Sequence, residues 1–152
     1  MRYFLLTVMF GVLLYAQDTN RVVYDLSTAS LETFENRFIK GIVANKNHYE
    51  NQLKELDVVV IIHGEAYKFF LEDPKTTTYK DDKEISKADK SLKTRIQSLA
   101  ETYDVKFQMC EIGAKSKKLN REDIYPFVEM IPNTVIGLID AQNGGYAYIP
   151  VK

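Results

Sequence analysis

The chain has 152 residues, with 20 lysines and arginines against 21 aspartates and glutamates and a formal net charge of −1. This near-neutral balance argues against nucleic acid as the main partner, because phosphate binding calls for a basic surface. Hydrophobic residues make up 45% of the chain, enough for a packed core, and its 1 cysteine excludes an internal disulfide or a cysteine-rich zinc site.

Met1 and Arg2 precede an uncharged apolar run from Tyr3 to Ala16. A positive start, an apolar stretch and a small residue before a polar one predict a signal peptide over residues 1–16, cut after Ala16. Leu14 is a weaker match to the cleavage pattern than a small residue, which leaves an uncleaved anchor open. The run is shorter than the roughly 20 apolar residues that span a bilayer, so no stable membrane span is expected once the signal is cleaved. No cysteine lies near the cut, which excludes a lipid-modified cysteine anchor. Residues 17–152 then form a single domain, expected to be periplasmic or secreted. Without Arg2 the balance is 19 basic against 21 acidic residues, a net of −2.

Arg21 to Leu26 reads as a first strand, followed by turn and cap chemistry at Ser27, Thr28 and Ser30. Leu31, Phe34, Phe38, Ile42, Tyr49 and Leu53 fall on one helical stripe, with a bend expected near Gly41 and Asn45-Lys46-Asn47. Asp57 to Ile62 is a β-branched run suited to a central parallel strand, and it exits at His63-Gly64. Ala66 to Leu71 predicts a short helix, and Glu72 to Lys83 an exposed loop outside the core.

Ser86 and Asp89 make a capping-box pattern before a helix whose buried side carries Ile85, Ala88, Leu92, Ile96 and Leu99. Val105 to Cys110 alternates as a strand does, and a polar, basic loop follows it. Asn120 with Asp123 predicts a helix start, and Val128 to Ile131 a strand. A helix is expected over Asn133 to Gln142, with Val135, Ile136, Leu138 and Ile139 as core candidates and Gly144-Gly145 as its stop. Tyr146 to Ile149 closes the chain as a last strand.

Alternating strands and helices predict an α/β fold, a three-layer Rossmann-like or flavodoxin-like arrangement. Its mostly parallel sheet of 4–5 strands is flanked by helices. No phosphate-binding glycine loop and no Gly-x-Ser-x-Gly elbow is present. The only histidines, His48 and His63, lie far apart in sequence, so no metal site and no cofactor is expected.

Cys110 is the residue that stands out. At the carboxyl end of a strand it lies on the edge where open α/β sheets bind ligands. Lys115, Lys117 and Lys118 would favour its thiolate and hold an anionic donor. The alternative is a small buried hydrophobe without chemistry. His63, with Gly64, ends the most buried strand on the same edge if the two strands run parallel. It is a ligand contact or proton partner, or it serves a backbone hydrogen bond only. Tyr146 and Tyr148 read as packing residues, His48 as an exposed helix residue, and Glu65 as a helix-start carboxylate.

Several segments together resemble the DsrE/DsrF-like sulfur-relay family. They are Val22 to Leu26, Ala44 to His48, Val58 to Ile62 running into His63-Gly64, Phe107 to Cys110, Leu119 to Ile124, and Gly145 to Ile149. The resemblance covers nearly all of residues 17–152 and rests on the order and spacing of these segments. It implies a Rossmann-like sheet and a homo-oligomer, often a trimer or hexamer. It also implies a cysteine that carries a persulfide and passes it to a partner thiol, a position that Cys110 matches. Many relatives follow that cysteine with a small residue and then Asn-Thr, where this chain has Glu111, Ile112 and Gly113. With a signal peptide it would be an exported branch of the family. A sulfur donor or acceptor protein is the implied partner, because no resolving cysteine exists in the chain. The other open readings are a small-ligand-binding module and an oligomeric interaction domain, each with an inert cysteine.

Overall fold

The computed structural model describes residues 19–152, so the expected signal peptide lies outside the described residues. Five strands form one all-parallel sheet in the order β4-β3-β2-β1-β5. They are β1 (Thr19–Leu26), β2 (Glu55–Ile62), β3 (Val105–Cys110), β4 (Val128–Ile131) and β5 (Ala147–Val151). The helices are α1 (Leu31–Thr33), α2 (Lys40–Glu50), α3 (Lys83–Glu101), α4 (Glu111–Ser116) and α5 (Thr134–Asn143). Chain order steps across the sheet from β1 to β4 and then returns past β1 to β5. The return runs through α5, which packs on the face opposite to α1–α3. This is the α/β sandwich expected from the alternation of strand and helix patterns.

Strand alternation divides the residues between the faces. Val22, Tyr24 and Leu26 pair in register with Val58, Val60 and Ile62, and those with Val105, Phe107 and Met109. All belong to the large core beneath α1–α3. An aromatic stack fills that core. The Phe34 ring lies 4.0 Å from Phe69 and 5.1 Å from Phe38, and Phe70 meets both Phe34 and Phe107. Burying each such ring is worth about 1.5–3 kcal/mol, so this side dominates the stability of the fold. Among the described residues the buried apolar cluster of the opposite face is Val23, Val59, Ile61, Ile131 and Ala141, with Leu138 and Tyr146 packed on them.

The first helix runs from α1 through a π-helical stretch (Phe34–Ile39) into α2. Ser30 caps it, its hydroxyl accepting from the Thr33 N–H at 3.1 Å. The irregularity falls one turn before Gly41, where the Lys40 N–H reaches back to the Glu35 carbonyl. The wide turn brings both Phe34 and Phe38 onto the sheet. Leu53 is not on the buried stripe. It follows the helix at φ 57° and is exposed.

Three further expectations are corrected. The segment 72–83 is not wholly outside the core: Pro74 and Thr77 are buried, Tyr79 packs on the large core, and a 3₁₀ turn forms at Pro74–Thr76. The cap of α3 is Asp82, not Ser86; its carboxylate accepts from the N–H groups of Glu84 and Ile85, both at 3.1 Å. The apolar side of α5 faces out: Val135, Ile136 and Ile139 are exposed, and Gly137 and Ala141 touch the sheet instead. A Cβ on Gly137 would lie 2.5 Å from Ile131 Cδ1 and 2.9 Å from Ile61 Cδ1. The small residues therefore let the helix lie close on the strands. Asn120 and Asp123 do form a capping box, though for a single 3₁₀ turn, Arg121–Asp123. Among the described residues no helix is long and apolar enough to cross a membrane.

Candidate functional site at the carboxyl edge of the sheet

Cys110 ends β3 at the rim of the large core and serves as the N-cap of α4. The basic loop expected after it is thus a short helix, and the Gly113 N–H donates to Cys110 Sγ at 3.4 Å. Ile131 pairs in register with Cys110, and the chain leaving β4 starts α5 at Thr134. The hydroxyl and the N–H of Thr134 lie near enough to the thiol to lower its pKa. From the other side comes Tyr67, whose hydroxyl donates to the Cys110 carbonyl at 3.2 Å. It occupies the space left by the missing side chain of Gly113, where a Cβ would lie 2.0 Å from it.

These contacts set the thiol's acidity. Burial alone would raise the pKa of Cys110. The Gly113 N–H, with Thr134 and Tyr67 beside it, outweighs this and brings the thiol below its ordinary range. Burial, and then the neighbouring thiol, push the Tyr67 phenol well up, so it stays a protonated donor. Cys110 itself is only 7% exposed.

The lysines are not among the groups that lower the Cys110 pKa. Lys115 points to solvent, its side chain 71% exposed, and pairs with Glu111 at 2.6 Å across one helical turn. Lys117 pairs with Glu65 and Lys118 takes a left-handed backbone, φ 56°. Hydrogen-bond donors, rather than ammonium groups, lower the thiol.

His63 reaches the same edge, because β2 and β3 run parallel and pair up to Ile62 and Met109. Its N–H donates to the Leu26 carbonyl at 3.0 Å, extending the ladder by one residue. Its ring Nε2 lies 2.5 Å from Asp25 Oδ1, and the Tyr148 hydroxyl donates to Asp25 Oδ2 at 2.5 Å. Tyr148 is therefore more than a packing residue, and so is Tyr146, whose hydroxyl donates to Asp57. Hydrogen bonding to the Asp25 carboxylate is the main reason the Tyr148 pKa is raised. Gly64 follows with φ 63°, and a Cβ there would press on Ser27 at 3.2 Å, so the strand exit needs glycine. His48 is exposed on α2.

Sequence reasoning found Cys110 and His63 but not Thr134, Tyr67, Asp25 or Tyr148 as their partners. The one available signal was the polar N-cap Asn133-Thr134 directly after a strand. Two clefts of about 620 Å³ lie elsewhere. One, at the amino edge, is lined by Lys46, Asp57, Asp104 and Lys106 among others, and burial there pulls the Lys46 pKa down. The other runs between α2 and α3 past Ile39, Val43 and Leu99. Among the described residues no three His, Cys, Asp or Glu side chains are grouped to hold a metal ion.

Comparison with known proteins agrees with this architecture. The chain is 28% identical over 150 residues to an uncharacterised protein of Aquifex aeolicus (strain VF5), covering 99% of this chain and 64% of that protein's length. A solved structure of a protein of unknown function from Methanobacterium thermoautotrophicum superposes with a TM-score of 0.61. It is 18% identical and covers 86% of this chain and 98% of its own, which is a likeness of fold. The sequence profile of the DsrE/DsrF-like family matches residues 21–151. The chain therefore belongs to the DsrE/DsrF-like family, a group generally linked to sulfur relay.

Proposed function

We propose that the protein carries sulfur as a persulfide on Cys110 and passes it to a thiol on a partner molecule. The observation that carries this reading is the set of donors around the sulfur: Gly113, Thr134 and Tyr67 favour the thiolate, the form that attacks sulfane sulfur. His63 and Gly64 line the same edge as substrate contacts, and Lys115 is left as a surface charge near the approach. No second cysteine is available to resolve the persulfide, so the acceptor belongs to another molecule. The export signal read at residues 1–16 would place the reaction in the periplasm or outside the cell. The exposed aliphatic residues of α5, together with Ile149 on the edge strand β5, suit assembly into a homo-oligomer, a trimer or hexamer.

Intact mass spectrometry after exposure to thiosulfate or to a persulfide donor tests the reading. The expected result is a reductant-sensitive gain of one sulfur atom that Cys110→Ser abolishes while remaining folded. Full loading of the Ser variant would sink the proposal. The burial of Cys110 favours a second reading, a ligand-binding or assembly domain with an inert thiol. Under that reading Cys110 alkylates only after denaturation and no sulfur is gained.

A further inference from the structure

We propose that His63, held by Asp25 and Tyr148, is the acid that protonates the departing sulfur when Cys110 takes sulfane sulfur from an alkyl persulfide. The inference rests on the sulfur-carrier reading above and names the donor class for that site.

Placement comes first. His63 and Cys110 each stand one residue past the last pair that joins β2 to β3, Ile62 and Met109, at the carboxyl edge of the sheet. Neighbouring strands are about 4.8 Å apart, so the two residues flank one short gap. The His63 ring does not close that gap on the thiol. It turns instead toward β1, where Nε2 meets Asp25 Oδ1 at 2.5 Å. The thiol has its own donor in the Gly113 N–H, with Thr134 and Tyr67 beside it. Cys110, His63 and Asp25 do not converge as a metal set would. His63 is thus spaced to act on an atom held between itself and the sulfur.

The hold on the ring comes second. Both oxygens of the Asp25 carboxylate are engaged across the sheet, one by His63 from β2 and the other by Tyr148 from β5. Asp25 is buried, whereas the His63 side chain is 29% exposed and open to a ligand. A carboxylate fixed this way orients the imidazole. With Nε2 bound to Asp25, Nδ1 is the ring nitrogen left for a substrate.

The step balances without an added oxidant or reductant. The Cys110 thiolate attacks the outer sulfur of R–S–SH, forming the Cys110 S–S bond as the donor's S–S bond breaks. The electron pair goes to the departing sulfur of R, which takes the proton from the His63 imidazolium and leaves as R–SH. Cys110–S–SH and neutral His63 remain. In the return step neutral His63 takes the proton of an acceptor thiol, whose sulfur then attacks the outer sulfur of the persulfide. Asp25 and Tyr148 are positioning residues in both directions.

An alkyl thiol leaves poorly as an anion at neutral pH, because its pKa is about 8.5. Sulfite departs from thiosulfate already charged and needs no proton. The test is therefore the ratio of loading rates with glutathione persulfide and with thiosulfate, read by mass gain. His63→Gln should lower that ratio by about 100-fold, the lower range for a lost general acid. Tyr148→Phe, at a partly exposed edge position where folding is safe, should lower it by a smaller factor in the same direction. An unchanged ratio in His63→Gln, with both rates falling alike, would overturn the proposal. Loading of Cys110→Ser at the wild-type rate would overturn the carrier reading itself, so the two failures are told apart.

Discussion

The two faces of the sheet are built on opposite plans. Beneath α1–α3 the strands present Tyr24, Phe107 and a row of aliphatics to stacked rings, and almost nothing polar is buried there without a partner. Beneath α5 the same strands present a thin apolar strip between polar ends. Asp57, paired with Lys106 and Tyr146, lies toward the amino edge, and Asp25 with His63 toward the carboxyl edge, where Cys110 sits at the rim between this face and the large core. One side supplies most of the apolar burial that opposes chain entropy. The other can therefore hold buried polar and nucleophilic groups whose desolvation lowers stability. Stability and chemistry are separable by face, and substitutions on each side should show it.

The largest effect on stability is expected at Phe34. It is fully buried and contacts Phe38, Phe69 and Phe70. Phe34→Ala should cost about 3–5 kcal/mol, the range for emptying a large aromatic site, as read by urea denaturation. The alkylation rate of Cys110 in the folded fraction should stay at the wild-type value, since no part of the thiol's hydrogen bonding comes from this stack. A change in that rate comparable to the stability loss would show that the faces are coupled.

Thr134→Val should do the reverse. It removes a hydroxyl donor to the thiol and keeps the shape of the side chain. The rate of Cys110 alkylation at neutral pH should fall by about tenfold, the worth of one hydrogen bond to a charged group. The pH of half-maximal rate should move up. The sign of the stability effect follows by linkage. The folded thiol is more acidic than the unfolded one, so the stabilisation is fully present above the unfolded value of about 8.5. It is lost as pH falls through the lowered folded value. The deficit of Thr134→Val should therefore be seen at alkaline pH and narrow toward pH 6. A deficit equal at both ends would mean that the hydroxyl serves packing and not the thiolate.

The contrast between the faces also explains what the sequence made legible. β1 to β4 announce themselves by β-branched runs or two-residue alternation, and the stripe of α3 from Ile85 to Leu99 is buried as its spacing implies. Cys110 and His63 stood out because each ends a strand. Their partners were hidden because the sheet order brings them together: Asp25 is 38 residues from His63 and 123 from Tyr148. Thr134 reaches the thiol only because β4 lies beside β3. The placement of the basic residues after Cys110 was not legible, since a six-residue helix turns Lys115 toward Glu111 and solvent. The reading of α5 failed for a different reason. Of its apolar residues only Leu138 packs on the sheet as expected; close approach otherwise selected the smallest ones, Gly137 and Ala141, and left Val135, Ile136 and Ile139 outside.

That inversion leads to the smallest expected effect. Ile139 is 50% exposed on the outer side of α5, so it contributes little to the fold of one chain. Ile139→Ser should change the unfolding free energy of the isolated chain by no more than about 0.5 kcal/mol, as for a surface position. If copies of this chain meet across α5, the same substitution should shift sedimentation toward smaller species while leaving sulfur loading on Cys110 intact. The two readouts divide the residue's roles. A stability loss of several kcal/mol in dilute chain would place Ile139 in the core after all. Unaltered sedimentation together with unaltered stability would remove the α5 face from any assembly and leave the edge strand β5, with Ile149, to make it.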